Sequence, residues 1–171
     1  MSVWQQIGNT VAAEFSDIAD VTELTRLSVR LFLAALLGGL LGFEREHQGK
    51  AAGVRTHMLV ALGSAIFMII PLQIGVQPAE LTRIIQGMVT GVGFLGAGTI
   101  LKSSDEAQVK GLTTAAGLWM TSAIGMTAGL GQETSAILCT LFALIVFALM
   151  PRLLRAIEGE PARVQVDNRG D

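Results

Sequence analysis

The chain has few charged residues for its length. Only 15% of its 171 residues are Asp, Glu, Lys or Arg, against about 25% in soluble domains. Between Met58 and Leu101 the ionisable side chains are limited to Glu80 and Arg83. Apolar tracts of this length exclude an ordinary soluble globule and most soluble enzyme classes, and they predict a polytopic membrane protein whose surroundings are the lipid bilayer.

Cysteine, net charge and catalytic motifs are scarce as well. Cys139 is the one cysteine, so no intrachain disulfide is available. A net charge of −2 gives no basic footprint for nucleic acid. The sequence contains no HExxH, no GxSxG and no Cys/His cluster. We therefore expect neither an enzyme, nor a cofactor, nor a nucleic-acid partner.

Five apolar segments qualify, or nearly qualify, as membrane-spanning helices. They cover about residues 27–43, 58–75, 84–101, 112–130 and 134–150. We expect an all-α transmembrane bundle over residues 27–151, with its last helix ending at Pro151 because proline stops helices. Residues 1–26 are expected to form an amphipathic segment, with acids at positions 14, 17, 20 and 23 along one face. Residues 152–171 form a short polar tail.

The distribution of Lys and Arg predicts the orientation in the membrane. Nine of the twelve basic residues lie after the first span, after the third span or in the tail. The remaining three are Arg26, Arg30 and Arg83. The N-terminus is therefore expected outside and the C-terminus in the cytoplasm.

Glycine is abundant, and 17 of the 20 glycines lie between Gly38 and Gly131. Small residues let membrane helices approach closely, so the GxxxG pairs Gly38/Gly42 and Gly87/Gly91 indicate packing seams, within a bundle or between copies in a homo-oligomer. The fourth span carries a similar ridge at every fourth position, made of Thr113, Gly117, Thr121, Gly125 and Gly129.

The third span contains the run GVGFLGAG, whose glycines are Gly91, Gly93, Gly96 and Gly98. It matches the dinucleotide fingerprint GxGxxG, but that motif works between a strand and a helix, and here it lies inside an apolar span. Four glycines in eight residues indicate a very closely packed helix or a broken one. A broken helix at this depth would be tolerated where it lines a substrate cavity.

A polar cluster follows the first span. It comprises Glu44, Arg45, Glu46, Gly53, Arg55, Thr56 and His57. Glu44 and Arg55 are expected to lie deepest, with Glu44 or Glu46 paired to Arg45 or Arg55 because charge at membrane depth is costly. Glu44 and Glu46 are also weak candidates for Mg²⁺ ligands, although the arginines oppose a cation. His57 is either hydrogen-bonded within the bundle or pH-responsive.

The start of the fourth span carries a second group of candidate residues. Thr113 and Thr114 can cap the helix or hydrogen-bond across helices. Trp119 lies in the middle of the span and is expected to pack against a glycine face. Lys110 and Gly111 directly precede the span.

Three strings carry a family resemblance, and they occur in the order GFEREHQGKAAGVRTHMLVALGSA, RIIQGMVTGVGFLGAGTIL and VKGLTTAAGLWMTSAIGMTAGLG. Together they closely resemble the MgtC/SapB family of bacterial membrane proteins over about residues 30 to 150. The family's signature positions fall on the polar cluster, on the glycines of GVGFLGAG, and on Gly111, Thr113, Thr114 and Trp119. Because about twenty residues follow the last predicted span, the resemblance is closer to short members without the ACT-like C-terminal domain.

The resemblance implies a bacterial inner-membrane protein linked to growth in low magnesium. Members in intracellular pathogens support survival in macrophages, and some are associated with inhibiting the F-type ATP synthase. We therefore expect a non-enzymatic membrane protein that acts through helix–helix contact in magnesium or envelope homeostasis and stress adaptation. The alternative is a small transporter or channel for Mg²⁺, K⁺ or H⁺ with a broken third helix.

Overall fold

The computed structural model describes residues 2–15, 20–102 and 109–158. Over these residues the fold is helical, as predicted, apart from one short antiparallel ladder that pairs Leu101 with Lys110 and Lys102 with Val109. The elements in chain order are α1 (Val3–Glu14), α2 (Val21–His47), α3 (Val54–Gln73), α4 (Pro78–Gly98), β1 (Leu101–Lys102), β2 (Val109–Lys110), α5 (Leu112–Gly129) and α6 (Glu133–Glu158). Asp17 and the tail beyond Glu158 lie outside the described residues.

Three helices are long and apolar enough to cross a membrane: α2, α3 and the Glu133–Pro151 part of α6. The chain is therefore a helical membrane protein. Helices α4 and α5 coincide with the third and fourth predicted spans, and both are rich in glycine and threonine. The number of five spans stays a prediction.

The N-terminal segment is divided differently from the prediction. Helix α1 ends at Glu14, and Asp20 caps a new helix by accepting a 2.7 Å hydrogen bond from the Glu23 amide. The acids at positions 14 to 23 therefore do not share one helix, and α2 begins six residues before the predicted start of the first span. Helix α1 has no buried residue. Its placement along the membrane surface stays a prediction.

Helix α5 lies at the centre of the bundle and packs against α2, α3, α4 and α6. The predicted glycine seams hold α2 and α5 against α3. A Cβ added to Gly42 would lie 2.6 Å from Val54 Cα, and one added to Gly129 would lie 2.5 Å from Ala65 O. Larger side chains at these positions would force the backbones apart. The packing function predicted for Gly38/Gly42, and for Gly125 and Gly129 of the α5 ridge, is thereby confirmed, whereas Thr113 at the start of the ridge is exposed.

Helix α4 is continuous from Pro78 to Gly98, so of the two alternatives for the third span the broken helix is wrong. A glycine costs only about 1 kcal/mol relative to alanine inside a helix. In lipid, the backbone groups of a broken helix would lose their partners at several kcal/mol each. The free-energy cost of keeping glycine in a helix is therefore smaller than the cost of breaking the helix, and α4 stays continuous. An added Cβ at Gly87 or Gly91 would meet nothing within 4 Å, so this pair is not a seam within the described chain.

Helix α6 runs through Pro151 to Glu158, which corrects the predicted end at Pro151. A proline inside a helix lacks the N–H that would bond the carbonyl four residues earlier, here that of Phe147. The side-chain amide of Gln48 donates to this carbonyl at 2.9 Å. The missing intrahelical bond is thus replaced from another part of the bundle, and the helix continues.

Candidate functional site

Arg45 on α2 and His57 on α3 form the buried polar centre of the bundle. Their exposed fractions are 2% and 0%. The membrane depth expected for Glu44 and Arg55 stays a prediction, and within the protein Glu44 is half-buried and Arg55 is exposed. Arg45 occupies the buried face of α2 with Leu41 and Gly42, so its guanidinium enters the core.

Three groups surround the Arg45 guanidinium. Its Nη2 donates to Thr113 Oγ1 at 3.0 Å, and its Nη1 donates to Gln48 Oε1 at 3.4 Å. Its central carbon lies 4.5 Å from the centre of the Phe147 ring, within range of a cation–π interaction. Burying a cation is costly unless such contacts replace its water. Arg45 therefore links the end of α2 to both α5 and α6.

His57 is held in one tautomer by the backbone. Its Nδ1 lies 3.0 Å from the carbonyl oxygen of Gly53. Because a carbonyl only accepts hydrogen bonds, Nδ1 carries a proton, and in the neutral imidazole Nε2 then keeps its lone pair. Among the described residues, neither His57 Nε2 nor Arg45 Nε has a hydrogen-bond partner. A Cβ added to Gly117 would lie 3.6 Å from His57 Nε2 and 3.9 Å from Arg45 Nε.

The two glutamates of the cluster accept hydrogen bonds from different parts of the bundle. Glu44 accepts a hydrogen bond from Gln48 Nε2. Glu46 Oε2 accepts from the Val54 amide at 2.9 Å and so binds the start of α3. Residues two apart on a helix point in different directions, which is why these carboxylates do not converge. Within the described ranges, no group of three or more His, Cys, Asp or Glu is placed to hold a metal ion.

The predicted ion pair of Glu44 or Glu46 with Arg45 or Arg55 is not formed in the described part of the chain. Ion pairs between described residues join Arg30 to Glu133 at 3.9 Å and Arg83 to Glu80 at 3.7 Å. Arg45 is turned into the core, where it meets neutral partners, and Arg55 stays at the surface. Spans one and two are joined by the glycine seam and by Glu46 rather than by opposite charges.

The other signature positions have separate local surroundings. Gly111 has a φ of +97° and precedes α5 directly. A Cβ there would overlap the Thr99 carbonyl, so the position requires glycine. Thr114 is buried, and Thr56 is exposed. Lys110 lies in β2, and Gly53 lies against the Glu46 carboxylate.

Trp119 on α5 lies beside the glycine-rich part of α4. Its exposed fraction is 49%. With Gly93 and Gly96 it lines a shallow groove between the two helices, while Gly91 and Gly98 face outward with nothing within 4 Å of an added Cβ. The packing of Trp119 against a glycine face stays a prediction, because an added Cβ at Gly93 would meet nothing within 4 Å and the nearest atoms to one at Gly96 belong to Ala115.

Sequence reasoning missed Gln48 and Phe147, and it treated Gly117 and Thr121 only as members of a packing ridge. One signal for the first pair was available, because Pro151 leaves the Phe147 carbonyl unbonded and therefore in need of a donor. Nothing in the sequence indicated that the donor would be Gln48, 99 positions away along the chain.

Comparison with known proteins connects this site to a family. The MgtC family model matches residues 31–156. Protein SrpB of Synechococcus elongatus is 42% identical over 140 residues, covering 75% of this chain and 77% of SrpB. The "Putative magnesium transporter YhiD" of Escherichia coli K12 is 42% identical over 135 residues, covering 73% of this chain. Protein MgtC of Brucella abortus is 41% identical over 130 residues, covering 76% of this chain.

The matched region is only part of the longer relatives. It covers 60% of YhiD and 53% of the Brucella protein. No solved structure is significantly similar to the chain. The matched residues include the C-terminal part of α2 and all of α3, and therefore Arg45 and His57.

Proposed function

Because the chain belongs to the MgtC family, we propose that it is a non-enzymatic membrane protein of magnesium homeostasis that acts by helix–helix contact. The magnesium link is supported by the family and by its relative YhiD, which is named a putative magnesium transporter. The contact mechanism is supported by the way in which the glycines are distributed over the bundle. The predicted bacterial inner membrane, with a cytoplasmic C-terminus, is part of the same proposal.

One observation carries the proposal. In the described helices, one set of glycines packs against α3 inside the bundle, whereas a second set on α4 has no such contact. Gly38, Gly42, Gly125 and Gly129 are in close backbone contact with α3. Gly87, Gly91 and Gly98 lie on the face of α4 where an added Cβ would meet nothing within 4 Å. Small residues at this spacing allow a second helix to approach as closely as α3 does inside the bundle. This face is the contact surface in our proposal, and it consists of Gly87, Gly91 and Gly98.

Magnesium transport by this chain alone is less well supported. The broken helix on which that alternative rested is a continuous helix. Among the described buried residues, Arg45 is the one with a fixed positive charge. At 4 Å, two unit charges of the same sign repel by about 4 kcal/mol near a protein surface, and a divalent ion by about twice that. Arg45 would therefore oppose Mg²⁺ along the polar centre.

The test is growth in low magnesium of a bacterial host that lacks its own MgtC-family gene. We expect Gly87→Leu and Gly91→Leu to abolish the growth supported by the wild-type chain, because a bulky side chain blocks close approach. Gly63→Leu on α3 is the matched control, since an added Cβ at Gly63 also meets nothing within 4 Å. The control should support growth, and all variants should reach the membrane in equal amounts.

Two results would contradict the proposal. One is full growth with Gly87→Leu and Gly91→Leu. The other is flux of Mg²⁺, K⁺ or H⁺ through proteoliposomes of the purified chain above that of protein-free vesicles, which would support the transporter instead.

A further inference from the structure

Three buried side-chain atoms in the described part of the chain have no hydrogen-bond partner in the protein. They are Arg45 Nε, His57 Nε2 and Thr121 Oγ1. Native proteins leave few buried polar atoms unpaired, because each one loses its water without compensation. Three such atoms in one small bundle therefore call for a common explanation.

The three atoms lie around the same part of α5. The nearest atoms to an added Cβ at Gly117 include both His57 Nε2 and Arg45 Nε, at 3.6 and 3.9 Å. Thr121 is four residues further along α5 and fully buried. Side chains four apart on a helix are neighbours, with about 5–6 Å between their Cβ atoms. Gly117 thus leaves space beside Arg45 Nε and His57 Nε2, and Thr121 carries the next side chain on the same face of α5.

The hydrogen-bonding characters of these atoms define what fits between them. Arg45 Nε can only donate. In the neutral ring, His57 Nε2 can only accept, because Nδ1 donates to the Gly53 carbonyl. A halide or a carboxylate would satisfy Arg45 but would face the lone pair of His57. Water accepts from one group, donates to the other, and keeps a further hydrogen bond for the Thr121 hydroxyl.

We propose that Arg45, His57, Gly117 and Thr121 form a binding site for one internal water molecule that joins α2, α3 and α5. Internal waters of folded proteins make about three hydrogen bonds, which matches the three unpaired atoms. The site is independent of the helix-contact function proposed above, because it lies in the core and involves none of the outward glycines of α4.

The direct test is a high-resolution structure of the full chain in lipid or detergent. We expect a water oxygen within about 2.7–3.2 Å of Arg45 Nε and His57 Nε2. The ¹⁵N NMR shift of His57 Nε2 should be that of an unprotonated, hydrogen-bonded nitrogen. An anion on a doubly protonated His57, a direct bond between the two side chains, or no density between them would each overturn the proposal.

Gly117→Ala provides a second test with a sharp control. The added methyl would have its nearest contact at 3.4 Å, from Phe147 Cζ, which is an ordinary van der Waals distance, so a dry site should accept it. A water site should not, because the methyl takes the space beside both nitrogens. We expect Gly117→Ala to lower the melting temperature and to remove the water.

The control is Gly93→Ala on α4, which gains the same helix propensity and whose added Cβ meets nothing within 4 Å. It should melt at or above the wild-type temperature. If Gly117→Ala melts as high as the control, the water site is wrong. If Gly117→Ala fails to fold, the wild-type structure and the NMR shift still decide.

Discussion

The side-chain amide of Gln48 donates a 2.9 Å hydrogen bond to the carbonyl oxygen of Phe147, four residues before Pro151. Gln48 also accepts from Arg45 and donates to Glu44. The same Phe147 offers its ring to the Arg45 guanidinium at 4.5 Å. The end of α2 therefore bonds α6 at the point where Pro151 interrupts its hydrogen bonding.

Replacing Gln48 should weaken the docking of α6. We expect Gln48→Leu to lower the free energy of unfolding by about 1–3 kcal/mol, because a partly buried carbonyl and the Arg45 guanidinium each lose a partner. Pro151→Ala restores the N–H that can bond the Phe147 carbonyl. In that background the loss from Gln48→Leu should be smaller.

A double-mutant cycle on unfolding in detergent measures this coupling. Strictly additive effects of Gln48→Leu and Pro151→Ala would mean that Gln48 does not replace the missing helix bond. Hydrogen exchange of the amides in the last turns of α6 gives an independent readout, and exchange there should be faster in Gln48→Leu alone.

The two kinds of helix glycine should respond oppositely to alanine. In Gly42→Ala the new Cβ would lie 2.6 Å from Val54 Cα, and overpacking of this kind costs about 1–3 kcal/mol. Gly87→Ala has open space and should gain up to about 1 kcal/mol from helix propensity. Thermal unfolding of both variants in the same detergent checks the difference. Equal stability of the two would contradict the packing seam.

Glu46 should matter through a backbone amide rather than through an ion pair. Glu46→Ala removes the 2.9 Å hydrogen bond to the Val54 amide, and loss of a helix N-terminal partner costs about 1 kcal/mol. Arg55→Ala is the matched control and should change stability by less than about 0.5 kcal/mol, because its side chain is exposed. In a double-mutant cycle, a coupling energy between Glu44 and Arg55 above about 0.5 kcal/mol would show that these two residues do form an ion pair.

Arg30 should stabilise the opposite end of the bundle. Its Nη1 donates to the Gly129 carbonyl at 3.2 Å, and its Nε lies 3.9 Å from Glu133. A cation at a helix C-terminus contributes about 0.3–2 kcal/mol, here to α5. We expect Arg30→Gln to lower stability by an amount in that range. Arg26→Gln, exposed on the same helix, should leave it unchanged, and equal losses in both variants would assign the effect to general charge.

The positions of the helices could largely be predicted from the sequence, because apolar length and small-residue spacing are properties of consecutive residues. Gly38 and Gly42 show this well, since an interval of four places both on one helix face. Spacing alone does not predict the partner of Gly91. Gly91 has the same spacing from Gly87, yet whether such a pair packs against a helix of the same chain depends on which helices surround α4.

The partners of the polar residues could not be predicted in this way. Glu44, Arg45 and Glu46 are adjacent in the sequence, and the spacing suggested an ion-paired group. On a helix, however, consecutive side chains point about 100° apart, so Arg45 enters the core while Glu46 reaches α3. Which of the three is buried is decided by the rotation of α2 against its neighbours.

The scarcity of charge and the glycine intervals by themselves determined a helical membrane protein with close helix seams, and the three signature strings gave its resemblance to the MgtC type. Only the tertiary structure decided that α4 and α6 remain continuous, that Gln48 replaces the bond missing at Pro151, and that Arg45 and His57 face each other across Gly117. The physical reason is that apolar length and helix periodicity are local, whereas the cost of a buried polar group is met by atoms that only the packed bundle brings within hydrogen-bonding distance.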